Sequence, residues 1–363
     1  MRRRATASGT PPSVRRLAPL VPLGAATATL GYGLDKGGLP SSYLFAALLV
    51  GLAVALVLPG EVTVPAVVFR ASQAVTGVAL GAQVRSSSLS ALAHSWLPVT
   101  LVSAATLLLS LAAGKLLARV TFVDPPTGAL GMVAGGASGI VAMADELGAD
   151  DRLVAFMQYL RVLVVVLLTP LLIPILFPGH HGGGALAGGT FGDAKGWLLA
   201  IGVAAAGWFI AARVQFPAGT LLAPMVLATV VVLAVPHGEF SVPPLLQQTA
   251  FAGIGLQVGL RFTSETVRSL GSLLFPVLGC IIGLIVACFG LAALLDLTTS
   301  VSLLDAYLAT TPGGLFAVVA VAFGAGANTT FILAVQALRI LVMVLLAPVA
   351  VRWLTAGSRV SAT

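Results

Sequence analysis

The sequence predicts an all-α polytopic membrane protein built from two internal repeats, read as inverted relative to each other, each with one broken or re-entrant segment. Three observations predict it. Of 363 residues, 58% are hydrophobic and only 9% charged, against about 45–50% and about 25% in soluble domains. Apolar runs follow one another along the whole chain, most of them near the ~20 residues a helix needs to cross hydrocarbon. The second half repeats the first at a fixed separation of 178 residues. No soluble globule hides this much apolar surface, which excludes a soluble enzyme, a disordered scaffold and a free DNA-binding domain.

Residues 1–17 read as a basic cytoplasmic tail, because Arg2, Arg3, Arg4, Arg15 and Arg16 precede the first apolar run and basic flanks mark the cytoplasmic side. The net charge of +7 is therefore a matter of topology, and no nucleic-acid partner is expected. Arg15-Arg16 ahead of an apolar run faintly resembles a secretory signal, but the many runs that follow favour an uncleaved first helix. The first repeat, 18–177, has runs at 18–33, 42–58, 65–84, 97–119, 126–146 and 152–177. Residues 178–195, opening on Gly179-His180-His181-Gly182, read as a Gly-rich linker. The second repeat, 196–353, has runs at 196–213, 220–236, 243–261, 273–295, 303–325 and 330–353, and 354–363 is a short tail. Cys280 and Cys288 lie in one apolar run without a CxxC spacing and read as small buried hydrophobes.

The repeat rests on residues that apolar composition does not supply. Gly24 matches Gly202, Gly60-Glu61 matches Gly238-Glu239, Pro65 matches Pro243, and Pro98 matches Pro276. Gly77 and Gly81 match Gly255 and Gly259. From 135 to 170 the alignment has no gap and 16 of 36 positions are identical, among them Gly135-Gly136 with Gly313-Gly314, and Gln158, Arg161 and Pro170 with Gln336, Arg339 and Pro348. Duplicated membrane folds are mostly transporters.

The fifth run of each half is unlike the others. Gly135, Gly136 and Ser138 interrupt the first; Thr311, Pro312, Gly313 and Gly314 interrupt the second. Glycine and proline at this density free backbone groups, which survive at membrane depth only inside protein or beside water. If each fifth run enters and leaves on one side, each half crosses five times and the second half is inverted. With the N-terminus inside, Lys115, Arg119, Arg152, Arg213, Arg261, Arg268, Arg352 and Arg359 then face the cytoplasm, and Asp35, Glu239 and Asp296 face out. Arg85, Lys36 and Lys195 are exceptions, yet the positive-inside count still favours about ten crossings over twelve.

Arg161 and Arg339 lie deep in spanning runs, where a central arginine costs roughly 2.5–3.5 kcal/mol on insertion scales unless partners offset it. Gln158 and Gln336 sit three residues earlier, on the same helical face. Two readings stand. Each arginine either binds an anion or carboxylate, or caps the carbonyls of the broken segment or pairs with an acid. Half-helix ends and unwound backbone at Gly135-Gly136 and Pro312-Gly313-Gly314, with the hydroxyls of Ser138, Thr310 and Thr311, form the rest of the candidate substrate site; close helix packing by small residues is the alternative. Glu61, Glu239, Asp145-Glu146 and Asp150-Asp151 fall at run ends and read as solvated, whereas Asp305 lies inside its run and is the expected intramembrane acid. Arg70 is expected to snorkel to the surface. His94, His180, His181 and His237 show no i, i+3 or i+4 pairing on a helix, so no metal, cofactor or catalytic constellation is expected.

Two copies of Gly-Gly, each followed about 20 residues later by Gln-x-x-Arg and a helix with a late proline, resemble the AbrB-type family of duplicated integral membrane proteins. That family is distinct from the small soluble DNA-binding regulator of the same name. The resemblance covers about residues 17–355. After the two glycines similar proteins often carry Ser-Glu-Met, whereas this chain has Leu315-Phe316-Ala317 in the second half and Ala137-Ser138-Gly139 in the first. Family labels imply either ammonia oxidation or regulation of gene expression; a repeat architecture similar to cation/proton antiporters and bile-acid symporters implies transport.

Taken together, these readings predict a multi-pass protein of the bacterial inner membrane with both termini cytoplasmic. The expected function is secondary transport of a small solute, an organic anion being the favoured class, by alternating access. The alternative is a membrane-embedded regulator acting through a partner, since every soluble piece is under about 20 residues. A membrane oxygenase ranks last for want of ligands. The expected partners are the lipid bilayer and a small-molecule solute or ion, with a homodimer left open as the assembly.

Overall fold

A computed structural model describes residues 20–58, 62–82, 96–134, 140–141, 143–178, 191–214, 219–234, 240–262 and 271–360. The linker at 179–190, all four histidines, Glu61, Glu239, Gly135, Gly136 and Ser138 lie outside these residues. The described chain is helical, with no strand among the described residues. In order the helices are α1 (Leu20–Lys36), α2 (Ser42–Val57), α3 (Ala66–Gly81), α4 (Trp96–Val120), α5 (Pro125–Met132), α6 (Asp151–Leu176) and α7 (Ala194–Arg213). They continue with α8 (Gly219–Ala234), α9 (Pro244–Gly259), α10 (Gly271–Thr298), α11 (Leu303–Thr310), α12 (Leu315–Gly324) and α13 (Thr329–Val360).

Four of these, α4, α6, α7 and α10, are long and apolar enough to cross a membrane unaided. Their outer faces stay apolar: Leu108, Leu198, Phe275, Val286 and Leu297 are all exposed, as lipid-facing side chains must be. This is the architecture of a polytopic all-α membrane protein.

The short helices pair closely. α2, α3, α8 and α9 have 16 residues each, or roughly 24 Å at 1.5 Å per residue. α2 packs along α9, and α3 along α8. A Cβ on Gly77 would stand 2.2 Å from the Leu221 carbonyl oxygen, and one on Gly81 2.3 Å from that of Met225. On the other pair, a Cβ on Gly255 would meet the Leu44 oxygen at 2.1 Å and one on Gly259 the Leu48 oxygen at 2.3 Å. Only glycine admits backbones this close. Pro65 and Pro243 start α3 and α9 with φ of −56° and −55°, the pre-set angle that suits a helix entry.

These contacts sort the helices into two bundles. One contains α1, α2, α3, α7, α8 and α9; the other contains α4, α5, α6, α10, α11, α12 and α13. Each draws elements from both halves of the sequence. Between the bundles the contacts are few and run mainly through α12, α6 and α13. They include the edge-on aromatic pairs Phe69–Phe316 and Phe251–Phe323, the Ser41 hydroxyl donating to the Ala320 carbonyl, and the Arg261 guanidinium 4.4 Å over the Tyr159 ring.

Candidate functional site

The second broken run is a hairpin. Ser302 caps α11, its hydroxyl accepting from the Asp305 amide. α11 ends because Pro312 lacks an N–H and forces Thr311 out of the helical region; Thr311 sits at φ −53°, ψ 126°. Thr311, Pro312, Gly313 and Gly314 turn the chain, and α12 runs back. Its exit lies beside the entrance, since the Asn328 amide donates to Asp305 Oδ1 at 2.7 Å. Asp305 is thus the clasp at the hairpin base, half-buried and bonded to Ser302 and Asn328. Asp305, expected as an acid just inside its run, stands in the first turn of α11, where the chain returns. In the first half, α5 ends at Met132, and the Asp150 amide donates to the Thr127 hydroxyl at 2.8 Å. Residue 150 therefore returns to the start of α5 in the same way.

The tips of these segments end in lone carbonyls, and the Gln-x-x-Arg pairs meet them. Gln158 Nε2 donates to Leu130 O and Val133 O, both at 2.7 Å, and Arg161 Nη1 donates to Met132 O at 3.0 Å. In the second half Gln336 Nε2 donates to Leu308 O at 2.9 Å and Thr311 O at 3.3 Å. Arg339 Nη1 donates to Thr310 O at 3.0 Å and Thr311 O at 2.9 Å. Each arginine also gives Nη2 to the Oε1 of its own glutamine. The capping reading of the arginines is therefore realised in bonds: a cation and an amide satisfy the C-terminal carbonyls of α5 and α11, where the helix dipole is negative.

Capping does not use up the guanidiniums. Arg161 and Arg339 are 2% and 1% exposed. Among the described residues their Nε atoms have no hydrogen-bond partner and no carboxylate pairs with either. The two halves meet here. Gly313 packs against Val165, and Gly314 against Val162, so the second break lies on the turn of α6 that carries Arg161.

The structure thus brings together Gln158, Arg161, Thr311, Pro312, Gly313, Gly314, Gln336 and Arg339. Gly135, Gly136 and Ser138 fall outside the described residues. One further participant, Cys288, is not marked as a site residue in the sequence. The Thr310 hydroxyl, one of the expected site groups, donates to the carbonyls of Cys288 and Ala306, tying α11 to α10. The separation of 178 residues is the one signal that points at Cys288, which stands opposite Ser110, another buried residue. Arg70 is exposed.

The family described as "Transition state regulatory protein AbrB" matches residues 12–355. The protein named "Putative regulator AbrB" of Escherichia coli strain K12 is 34% identical over 305 residues, covering 80% of this chain and 84% of the relative. "Uncharacterized protein YhjN" of Bacillus subtilis strain 168 is 28% identical over 290 residues, 76% of each chain.

Proposed function

The chain belongs to the AbrB family, and from that premise we propose that it is a secondary transporter of a small organic anion. One observation carries the reading. Two buried guanidiniums cap the ends of α5 and α11, each with an unpartnered Nε and no acid to neutralise it among the described residues. Uncompensated charge in a low-dielectric interior is costly, and an anionic solute is the natural counter-charge. The division into two loosely joined bundles suits alternating access, one bundle moving against the other around the site. In this proposal the protein lies in the bacterial inner membrane with both termini cytoplasmic, and the two halves are inverted repeats.

The name of the Escherichia coli relative favours a second reading, a membrane-embedded regulator acting through a partner protein. Vesicles containing only the purified protein distinguish the two. A transporter moves labelled organic anions across them, driven by an imposed ion gradient. Ligand binding without flux, together with a changed set of transcripts on deletion, would replace transport by regulation.

A further inference from the structure

One helix start is left open at the middle of the fold. Gly314 is the N-cap of α12 and has no side chain with which to close it. The Ala317 and Val318 amides both bond back to Gly314 O, while the Leu315 and Phe316 amides have no acceptor among the described residues. Val162, against which Gly314 packs, lies 11 residues beyond the start of the 26-residue α6, or roughly 17 Å in. Buried N–H groups are nearly always paired, and the start of a helix carries partial positive charge.

A second observation points to the same place. Arg339, 1% exposed, bonds Thr310 O and Thr311 O, four and three residues before Gly314, and its Nε has no partner among the described residues. Arg161 lies across the break on the turn that carries Val162 and Val165, and it too keeps a free Nε. We propose that the second break is a carboxylate seat, formed by the Leu315 and Phe316 amides and the Nε of Arg339, with Arg161 supplying further charge from the opposite side. The proposal deepens the transport reading and rests on it for the seat's purpose, which is to hold the substrate's head group.

The donor chemistry selects the head group. Arg161 spends two and Arg339 three of the five N–H groups of a guanidinium on their caps, so neither presents its full donor set to a ligand. Two amides and two Nε groups match the roughly four lone-pair sites of a carboxylate. Part of each guanidinium's charge is already spent on the helix end it caps, which favours a singly charged head group over a dianion.

The test is to give the seat its own carboxylate. In Gly314→Asp the new side chain caps α12 as helix starts prefer, and its Cβ has Val162 carbons at 3.3 and 3.5 Å, a contact small shifts relieve. Purified protein in detergent is titrated with sodium benzoate, sodium succinate and sodium phosphate at fixed ionic strength, and the thermal midpoint is followed. Benzoate and succinate raise the wild-type midpoint more than phosphate does. Gly314→Asp has a higher midpoint without ligand and no longer responds to benzoate. Leu315→Pro removes one amide at the first helical position, where proline is tolerated, and weakens benzoate binding about tenfold, or 1.4 kcal/mol. That loss must exceed the loss in Leu315→Ala. Leu303→Pro, the same change at the start of α11, binds as wild type.

A lower midpoint in Gly314→Asp, a retained benzoate response there, unaltered affinity in Leu315→Pro, a larger shift with phosphate, or no shift with either carboxylate overturns the seat. The transport reading fails separately. Vesicle flux that persists while the seat variants behave as wild type leaves transport and removes the seat, and binding with no flux of any solute does the reverse.

Discussion

At the scale of single residues, Arg161 and Arg339 do two jobs with different nitrogens. Nη1 and Nη2 hold carbonyls and glutamine; Nε is left over. A lysine at 339 keeps the charge but cannot reach two carbonyls and the Gln336 oxygen from one ammonium. Arg339→Lys should therefore lower stability in detergent by about 1–3 kcal/mol, the cost of leaving a buried carbonyl unmade. Arg339→Gln, which also loses the charge at the helix end, should fall further. Thermal unfolding of both purified variants checks the order, and equal stability to wild type would deny the cap. The arginine and glutamine are legible in sequence because a cation in an apolar run demands partners. The partners are not legible: the carbonyls of Leu130, Met132, Leu308 and Thr310 belong to every residue type and become special only where a helix stops.

At the scale of elements, glycine decides which helices touch. Gly255→Ala and Gly77→Ala each put a methyl 2.1 or 2.2 Å from a backbone oxygen of a neighbouring helix. No side-chain rotation relieves that contact. Each should cost about 1–3 kcal/mol, as overpacking does. Gly24→Ala and Gly202→Ala meet nothing within 4 Å and should be neutral or slightly stabilising, since alanine is the better helix former. Thermal midpoints of the four variants side by side test the contrast. The Gly-x-x-x-Gly spacing in α3 and α9 is plain in the sequence, but its targets, α8 and α2, lie far along the chain, and periodicity carries no information about such pairing. The fifth runs show the same limit. Their glycines announce a break, while the return of α12 to the start of α11 depends on one bond between Asn328 and Asp305.

At the scale of the molecule, neither half of the sequence makes a bundle of its own. α3 needs α8, and α2 needs α9, across the linker. Expressed alone, residues 1–190 should leave the glycine faces of α3 uncovered and give no folded protein in detergent, and residues 191–363 should behave likewise. Co-expression of the two pieces should restore a complex that co-purifies and unfolds in one transition. Independent folding of either piece, read by a cooperative transition, would contradict the interlocked packing. The membrane character is legible from composition alone, because lipid-facing surface requires apolar residues wherever it occurs. The sorting into two bundles is not, because all the helices involved are equally apolar.

The interlock also sets the order of events at the ribosome. Helices α2 and α3 leave the translocon well before α8 and α9 have been synthesised, so their most intimate surfaces wait in the lipid for partners not yet made. Throughout that interval the nascent chain is inserted but unassembled, with close-packing grooves lined by bare backbone. A pause or a premature stop between residues 178 and 244 is therefore expected to leave a product that cannot assemble and is open to triage by cellular proteases.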